Sequence, residues 1–246
     1  MSSLQYAIIG TGGIGGFYGG MLAKAGEKVK FLFRSDYEFV QNNGLKVDSV
    51  SGNFILPQID AYNSVEKMGA CDVVLICLKT TNNSLLKKLL PPLLHKNTLV
   101  ILIQNGLGLE EDVAKDFPLL NLAGGMAFIC SQKSGPGHIS HLDYGKLTLA
   151  AYNEEAAAIV EQVAEDFNRS GVETVVLPDL ESARWKKLVW NIPYNGSTVV
   201  LQTTTQELMD NPATESLMKE LMEEVVAAAN ACNISHPIDK SFINEM

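Results

Sequence analysis

The sequence predicts an α/β fold, a doubly wound parallel sheet followed by a helical C-terminal domain. From residue 6 to about 150, short apolar runs alternate with helical stretches, the order expected of parallel strands joined by crossover helices. The runs are rich in Val, Ile and Leu without clean alternation, as strands covered on both faces should be. Beyond Pro178-Asp179 almost every segment has helical periodicity.

In chain order, the first strand is expected over residues 6–9. A turn, Gly10-Thr11-Gly12-Gly13-Ile14-Gly15, then opens a helix over 17–25 that ends at Gly26. Strands follow at 29–33, 72–78 and 99–103, with a weaker one over 122–129. Gly135-Pro136-Gly137 reads as a turn, and 147–151 as a closing strand. Ala157, Val160, Val163, Ala164 and Phe167 recur at helical spacing and place a helix over 154–168. After 174–177, Pro178 is a stop and Asp179 an N-cap residue. The boundary is therefore set at 177, with a nucleotide-binding domain over 1–177 and a helical domain over 178–246. The segment 237–246 reads as a helix that has just begun, so the helical domain is expected to be partial.

Composition removes several functional classes. The chain carries 19 Lys and Arg against 28 Asp and Glu, a net charge of −9, which repels nucleic-acid backbones and anionic lipid surfaces. Its longest basic runs are the pairs Lys87-Lys88 and Lys186-Lys187. No nucleic-acid partner is expected. No apolar run approaches the ~18–20 residues of a membrane span, and the N-terminus lacks a signal-peptide pattern. A cytoplasmic protein with no membrane partner is expected, and a homodimer is compatible with the sequence. Cys71, Cys77, Cys130 and Cys232 have no zinc-type spacing and read as buried free thiols of a reducing compartment. His138 and His141 with Asp143 suggest a metal, but the pair would not face one way in a turn or strand, and no third ligand is suitably spaced. His95 and His236 read as loop residues.

The turn after the first strand has the spacing G-x-G-x-x-G in the strand-to-helix context that the motif needs. Gly10 permits the tight turn, Gly12 lets backbone approach a pyrophosphate, and Gly15 lets helix and strand pack closely. Unpaired N–H groups at the helix start, with Thr11, Gly13 and Ile14 in the loop, complete an anion site. The loop does not match the P-loop pattern, which disfavours a nucleotide hydrolase. About 20 residues further on, an NAD-specific site places an acid for the ribose hydroxyls. Arg34 stands at that strand end and suits a 2′-phosphate, so NADP is favoured over NAD. Asp36 is near enough to take the ribose role instead.

Ligands of open parallel sheets bind beyond the carboxyl ends of the strands. Lys79 and Asn105 follow two further strands there, Asn105 within Asn105-Gly106-Leu107-Gly108. Each also has a plain alternative, a solvated strand end for Lys79 and an Asn-Gly turn for Asn105. In the helical part, Lys187, Asn191 and Asn195 are spaced four apart and share one face of an apolar helix, unless Pro193 kinks it. Buried amides there need partners, from an internal network or from a ligand. Lys186 lies about 100° away and reads as a solvated charge.

The glycine turn, Arg34, Leu78-Lys79, Gln104-Asn105-Gly106-Leu107-Gly108, Gly135-Pro136-Gly137 and Trp185-Lys186-Lys187-Leu188 with Asn191 and Asn195 together resemble the ketopantoate reductases (2-dehydropantoate 2-reductases), from residue 6 to about 232. The resemblance implies a Rossmann domain, a helical C-terminal domain, and NADPH-dependent reduction of 2-dehydropantoate, a 2-keto acid, to pantoate in pantothenate synthesis. It implies that Lys187 is the catalytic lysine, that Asn105, Asn191 and Asn195 are substrate or active-site amides, and that Arg34 and Lys79 lie on the cofactor side. The family's later helices, with a serine that holds the substrate carboxylate and a nearby glutamate, have no counterpart before Met246. Two alternatives stay open: an NADP-linked reductase of another 2-keto or 3-hydroxy acid, and a non-catalytic NADP-binding protein.

Overall fold

Residues 4–245 are described in the computed structural model, and the chain divides into two units, Met1–Pro178 and Asp179–Met246. The first unit runs β1 (Gln5–Ile9), α1 (Gly13–Lys24), β2 (Lys28–Leu32), α2 (Tyr37–Asn43), β3 (Leu45–Ser49), β4 (Phe54–Leu56), β5 (Asp60–Tyr62), β6 (Val73–Ile76), α3 (Leu86–Leu89), β7 (Leu99–Leu102), α4 (Leu109–Asp116), β8 (Asn121–Gly135), β9 (His138–Ala151), α5 (Glu154–Arg169) and β10 (Thr174–Val176). All ten strands join one sheet in the order β4-β3-β9-β8-β7-β6-β1-β2-β5, with β10 beside β9.

The apolar runs of β1, β6 and β7 form its centre because both of their faces are covered. Successive residues of β1 enter different cores. Tyr6 and Ile8 pack with Phe17, Tyr18 and Leu22 of α1 and Phe167 of α5, whereas Ala7 and Ile9 pack with Leu86, Leu90, Leu93 and Val113. The pairs β1–β2, β1–β6, β6–β7 and β7–β8 are parallel, and Ile9, Leu32, Ile76 and Leu102 are in register. Their carboxyl ends thus form a single edge, and the chain order reverses at β1, a topological switch point.

The sheet is mostly parallel, as expected, with two antiparallel pairs. β8 and β9 form a long antiparallel hairpin with three register shifts, and β3 pairs antiparallel with β4. The strand expected at 122–129 runs to Gly135, and the one expected at 147–151 begins at His138. The polar half of that hairpin hid both extensions. β3, β4 and β5 were not anticipated, being short strands of mixed polarity. Cys71 is buried, but Cys130 and Cys232 are exposed, so only part of the cysteine set is the core filler expected; all four are free thiols.

The second unit consists of α6 (Leu180–Leu201), α7 (Thr205–Asp210) and α8 (Pro212–Ala231), then a 3₁₀ turn at Lys240–Glu245. The Asp179 carboxylate caps α6 by accepting from the Ser182 N–H at 2.8 Å, and Thr204 and Glu207 form a capping box on α7. Val189 and Tyr194 of α6 pack with Leu208, Met218, Met222 and Val226. Pro193 lies inside α6 without ending it, and the helix continues to Leu201. The segment 237–246, expected as a new α-helix, forms only the 3₁₀ turn up to 245, and Met246 lies outside the described residues.

Candidate active site

The carboxyl edge of the first unit gathers Gly10, Arg34, Lys79 and Asn105 at the ends of β1, β2, β6 and β7. Gly10 has φ +99, and a Cβ on it would stand 2.7 Å from the Leu78 backbone nitrogen. Glycine is required there on both counts. A Cβ on Gly15 would meet the Gly10 carbonyl at 2.5 Å, whereas one on Gly12 would meet nothing within 4 Å. Gly12 has φ −99, a conformation open to any residue. The Thr11 hydroxyl donates to the Leu32 carbonyl at 2.9 Å and ties the turn to β2. Gly13 and Ile14 begin α1, with Gly12 as N-cap; their N–H groups lack partners one turn back and can hold an anion. Burial pushes the neighbouring Cys77 thiol up to about 12, which keeps it neutral.

Arg34, Lys79 and Asn105 are exposed, and none of the three makes a side-chain hydrogen bond or ion pair among the described residues. Asp36 behaves differently. It is 5% exposed, and its carboxylate accepts from Lys133 Nζ at 2.7 and 2.8 Å, from the Ser35 hydroxyl at 2.8 Å and from the Gly137 N–H at 3.1 Å. Burial works against its charge, but these bonds prevail and hold the carboxyl below its usual value.

On α6, Lys187 and Asn191 are half-buried and Asn195 is exposed. Their spacing of four keeps them on one helix face. Burial pushes the Lys187 ammonium down to about 8. Lys186 is half-buried with its Nζ 5.5 Å from the centre of the Phe242 ring, which corrects its reading as a merely solvated charge.

The two histidines considered for a metal do other work. His138 pairs with Asp48 at 2.6 Å, and buried His141 bonds the Ser49 hydroxyl at 2.8 Å. Among the described residues no three His, Cys, Asp or Glu side chains gather as a metal site, and no helix is long and apolar enough to cross a membrane.

Sequence reasoning missed Gln104. Its buried amide donates to the Leu78 carbonyl at 2.7 Å and to Asn83 Oδ1 at 2.8 Å, joining the ends of β6 and β7 where Lys79 and Asn105 sit. A polar residue closing the apolar run 99–103 was the available signal.

Open space over Gly12 at the switch point is what a pyrophosphate needs, and with the cationic edge it is the arrangement of a dinucleotide-binding Rossmann-type fold. Residues 6–154 match the family described as ketopantoate reductase PanE/ApbA, and residues 179–246 match ketopantoate reductase PanE/ApbA C terminal. The chain belongs to the ketopantoate reductase family. A 2-dehydropantoate 2-reductase of Nostoc sp. is 49% identical over 251 residues, covering 100% of this chain and 78% of the relative. The crystal structure of 2-dehydropantoate 2-reductase from Geobacter metallireducens matches with a TM-score of 0.93 at 38% identity, over 98% of this chain and 80% of that one. D-mandelate dehydrogenase, solved with NADH and anilino(oxo)acetate, shares the fold at 20% identity, with a TM-score of 0.88 over 98% of this chain and 78% of that one.

Proposed function

We propose that the chain reduces 2-dehydropantoate to pantoate in the cytoplasm, with NADPH as hydride donor and Lys187 as general acid. Family membership supports the substrate. The observation that carries the chemistry is Lys187, a half-buried lysine whose ammonium is pushed down to about 8. A donor in that range is still mostly protonated at neutral pH and gives up its proton more readily than an ordinary lysine. The exposed Arg34 at the end of β2 supports NADPH, because a guanidinium there suits a 2′-phosphate. The free cysteines fit a reducing compartment.

Bound NADPH supplies the hydride to the keto carbon. Lys187 Nζ would donate a proton to the carbonyl oxygen, which takes up the π electrons as the hydride adds to carbon, so that the ketone becomes a secondary alcohol. The Lys187 charge also stabilises the developing oxyanion. Asn191 and Asn195, on the same helix face, and Asn105 at the strand edge offer amides to the substrate. Gly12 and the N–H groups of Gly13 and Ile14 would receive the pyrophosphate, while Arg34 and Lys79 would balance the cofactor's phosphates. In this reading residues 1–177 bind NADP and 178–246 supply substrate and catalytic groups.

The test compares NADPH with NADH and 2-dehydropantoate with other 2-keto acids. NADPH should bind more tightly, and Arg34→Ala should weaken NADPH about tenfold, as expected for one lost charge-assisted phosphate contact, while leaving NADH nearly unchanged. Equal affinities in the unaltered protein would overturn the cofactor assignment. A higher kcat/KM on another keto acid would overturn the substrate.

A further inference from the structure

Asp36 lies two residues beyond Arg34, in the segment that leads from β2 into α2. An acid in this neighbourhood could accept from a ribose and repel a 2′-phosphate. In this protein its two oxygens are taken by four hydrogen bonds. Ser35 and Lys133 donate to Oδ1, and Lys133 and the Gly137 N–H donate to Oδ2. That fills the acceptor capacity of a carboxylate.

Two of the three donor groups come from the β8–β9 hairpin, and its turn is seated firmly. Gly137 has φ +58, and a Cβ on it would stand 2.8 Å from Val40 Cγ1 and 2.9 Å from the Gly44 carbonyl oxygen. The Gly137 carbonyl also accepts from the Lys46 N–H at 2.8 Å. The same hairpin reaches the glycine turn, where the Ser131 hydroxyl donates to the Gly13 carbonyl at 3.0 Å. The hairpin therefore touches both the segment that carries Arg34 and the loop that faces the pyrophosphate.

We propose that Lys133 is a specificity-determining residue of the dinucleotide site: by holding and neutralising the Asp36 carboxylate against the hairpin, it withdraws the acid from the adenosine ribose and leaves Arg34 as the charge that reads a 2′-phosphate. This rests on the assignment of NADPH as cofactor. In this proposal Lys133 is a positioning residue that acts through Asp36. Its side chain is 37% exposed while that of Asp36 is 6% exposed, so the lysine can be exchanged with less disturbance than the acid.

The experiment measures dissociation constants for NADPH and NADH by calorimetry on the unaltered protein, Lys133→Met, and Lys133→Met combined with Asp36→Asn. Releasing an uncompensated carboxylate beside the 2′-phosphate should lower the preference for NADPH by roughly tenfold. Removing that carboxylate's charge in the double variant should restore it. An unchanged preference in Lys133→Met, or a double variant that stays like the single one, overturns the proposal, since a merely structural brace would weaken both cofactors alike. If Lys133→Met does not fold, Lys133→Gln keeps a donor for Asp36 without the charge, and the same fall in preference is expected; no fall overturns the proposal. If the unaltered protein shows no preference, the NADPH assignment fails first and this inference with it.

Discussion

The two ends of the parallel strands in the first unit follow opposite rules. At the amino ends, several polar groups are paired within the protein. The Gln5 N–H donates to Asp72 Oδ2 at 2.8 Å, the Thr98 hydroxyl to the Cys71 carbonyl at 2.8 Å, and the Tyr6 hydroxyl to the buried Asp166 carboxylate. Asn153 bonds both the Leu122 N–H and the Leu120 carbonyl where β8 begins. At the carboxyl ends, Arg34, Lys79 and Asn105 are exposed, and Gly12 faces open space. Water satisfies exposed groups at little cost until a ligand replaces it, whereas a buried polar group must be paired within the protein. The sealed end holds the sheet together, and the open end is available for binding. Asp36 and Gln104 are sealed residues on the open edge, and they fix the segments that present the unpaired ones.

The sharpest way to break this comparison is to fill the open space. Gly12→Val adds a side chain at φ −99, where any residue is allowed, with no atom of the protein within 4 Å of its Cβ. We expect a folded protein with unchanged thermal unfolding and NADPH affinity reduced by at least about 100-fold, because the side chain occupies the pyrophosphate's place. Calorimetry checks the binding and circular dichroism the fold. Retained binding would mean that the dinucleotide does not cross this turn. Gly13→Ala is the contrast: its Cβ would stand 2.5 Å from the Ser131 carbonyl oxygen, so that variant should lose stability as well.

The second prediction separates binding at the edge from chemistry on α6. Positioned proton transfer contributes roughly 10²–10⁴-fold, about 3–5 kcal/mol, so Lys187→Ala should lower kcat by that factor and leave the NADPH dissociation constant nearly unchanged. The acid works only while protonated, and burial pushes it down to about 8. The rate should therefore fall as pH rises through about 8, and that limb should vanish in the variant. Lys186→Ala should cost only about 0.5–1 kcal/mol of stability through its lost contact with Phe242 and leave kcat alone. Similar small effects of both substitutions would make Lys187 structural.

The open edge was legible because its residues follow apolar runs at fixed positions. The glycine spacing marked the turn, and Arg34, Lys79 and Asn105 each stand just beyond a strand that the run of Val, Ile and Leu reveals. Lys187, Asn191 and Asn195 were legible through helical spacing. The sealed side was not. Asp36 pairs with Lys133 across 97 residues, and no local pattern announces a contact between a strand end and a hairpin turn. The length of that hairpin was hidden for the same reason. His138, Ser140, His141 and Asp143 are weak strand formers, and their pairing with β8 is decided by the partner strand. β3 and β5 are likewise held by neighbours distant in sequence, β9 and β2.

An effect smaller than the loss of Lys187 tests the amino end of the sheet. Tyr6 is fully buried, and Asp166, which accepts from its hydroxyl, also pairs with Arg169. Tyr6→Phe keeps the ring in the core between β1 and α5 but leaves the Asp166 carboxylate one donor short, a loss of about 1–3 kcal/mol. The melting temperature should fall by several degrees while cofactor affinity and turnover stay the same, since Tyr6 lies at the opposite end of β1 from Gly10. The pH dependence gives a second reading. Burial, then the hydrogen bond to Asp166, raise the Tyr6 phenol far above its ordinary value of 10.0, so it stays protonated in the native state where the unfolded chain would ionise. Stability from this group is fully present below pH 10.0 and is lost as pH rises above it. The gap between the parent protein and Tyr6→Phe should accordingly be constant at neutral pH and narrow in alkali. A fall in NADPH affinity equal to the fall in stability would show that the two ends are coupled, and the division between them would then fail.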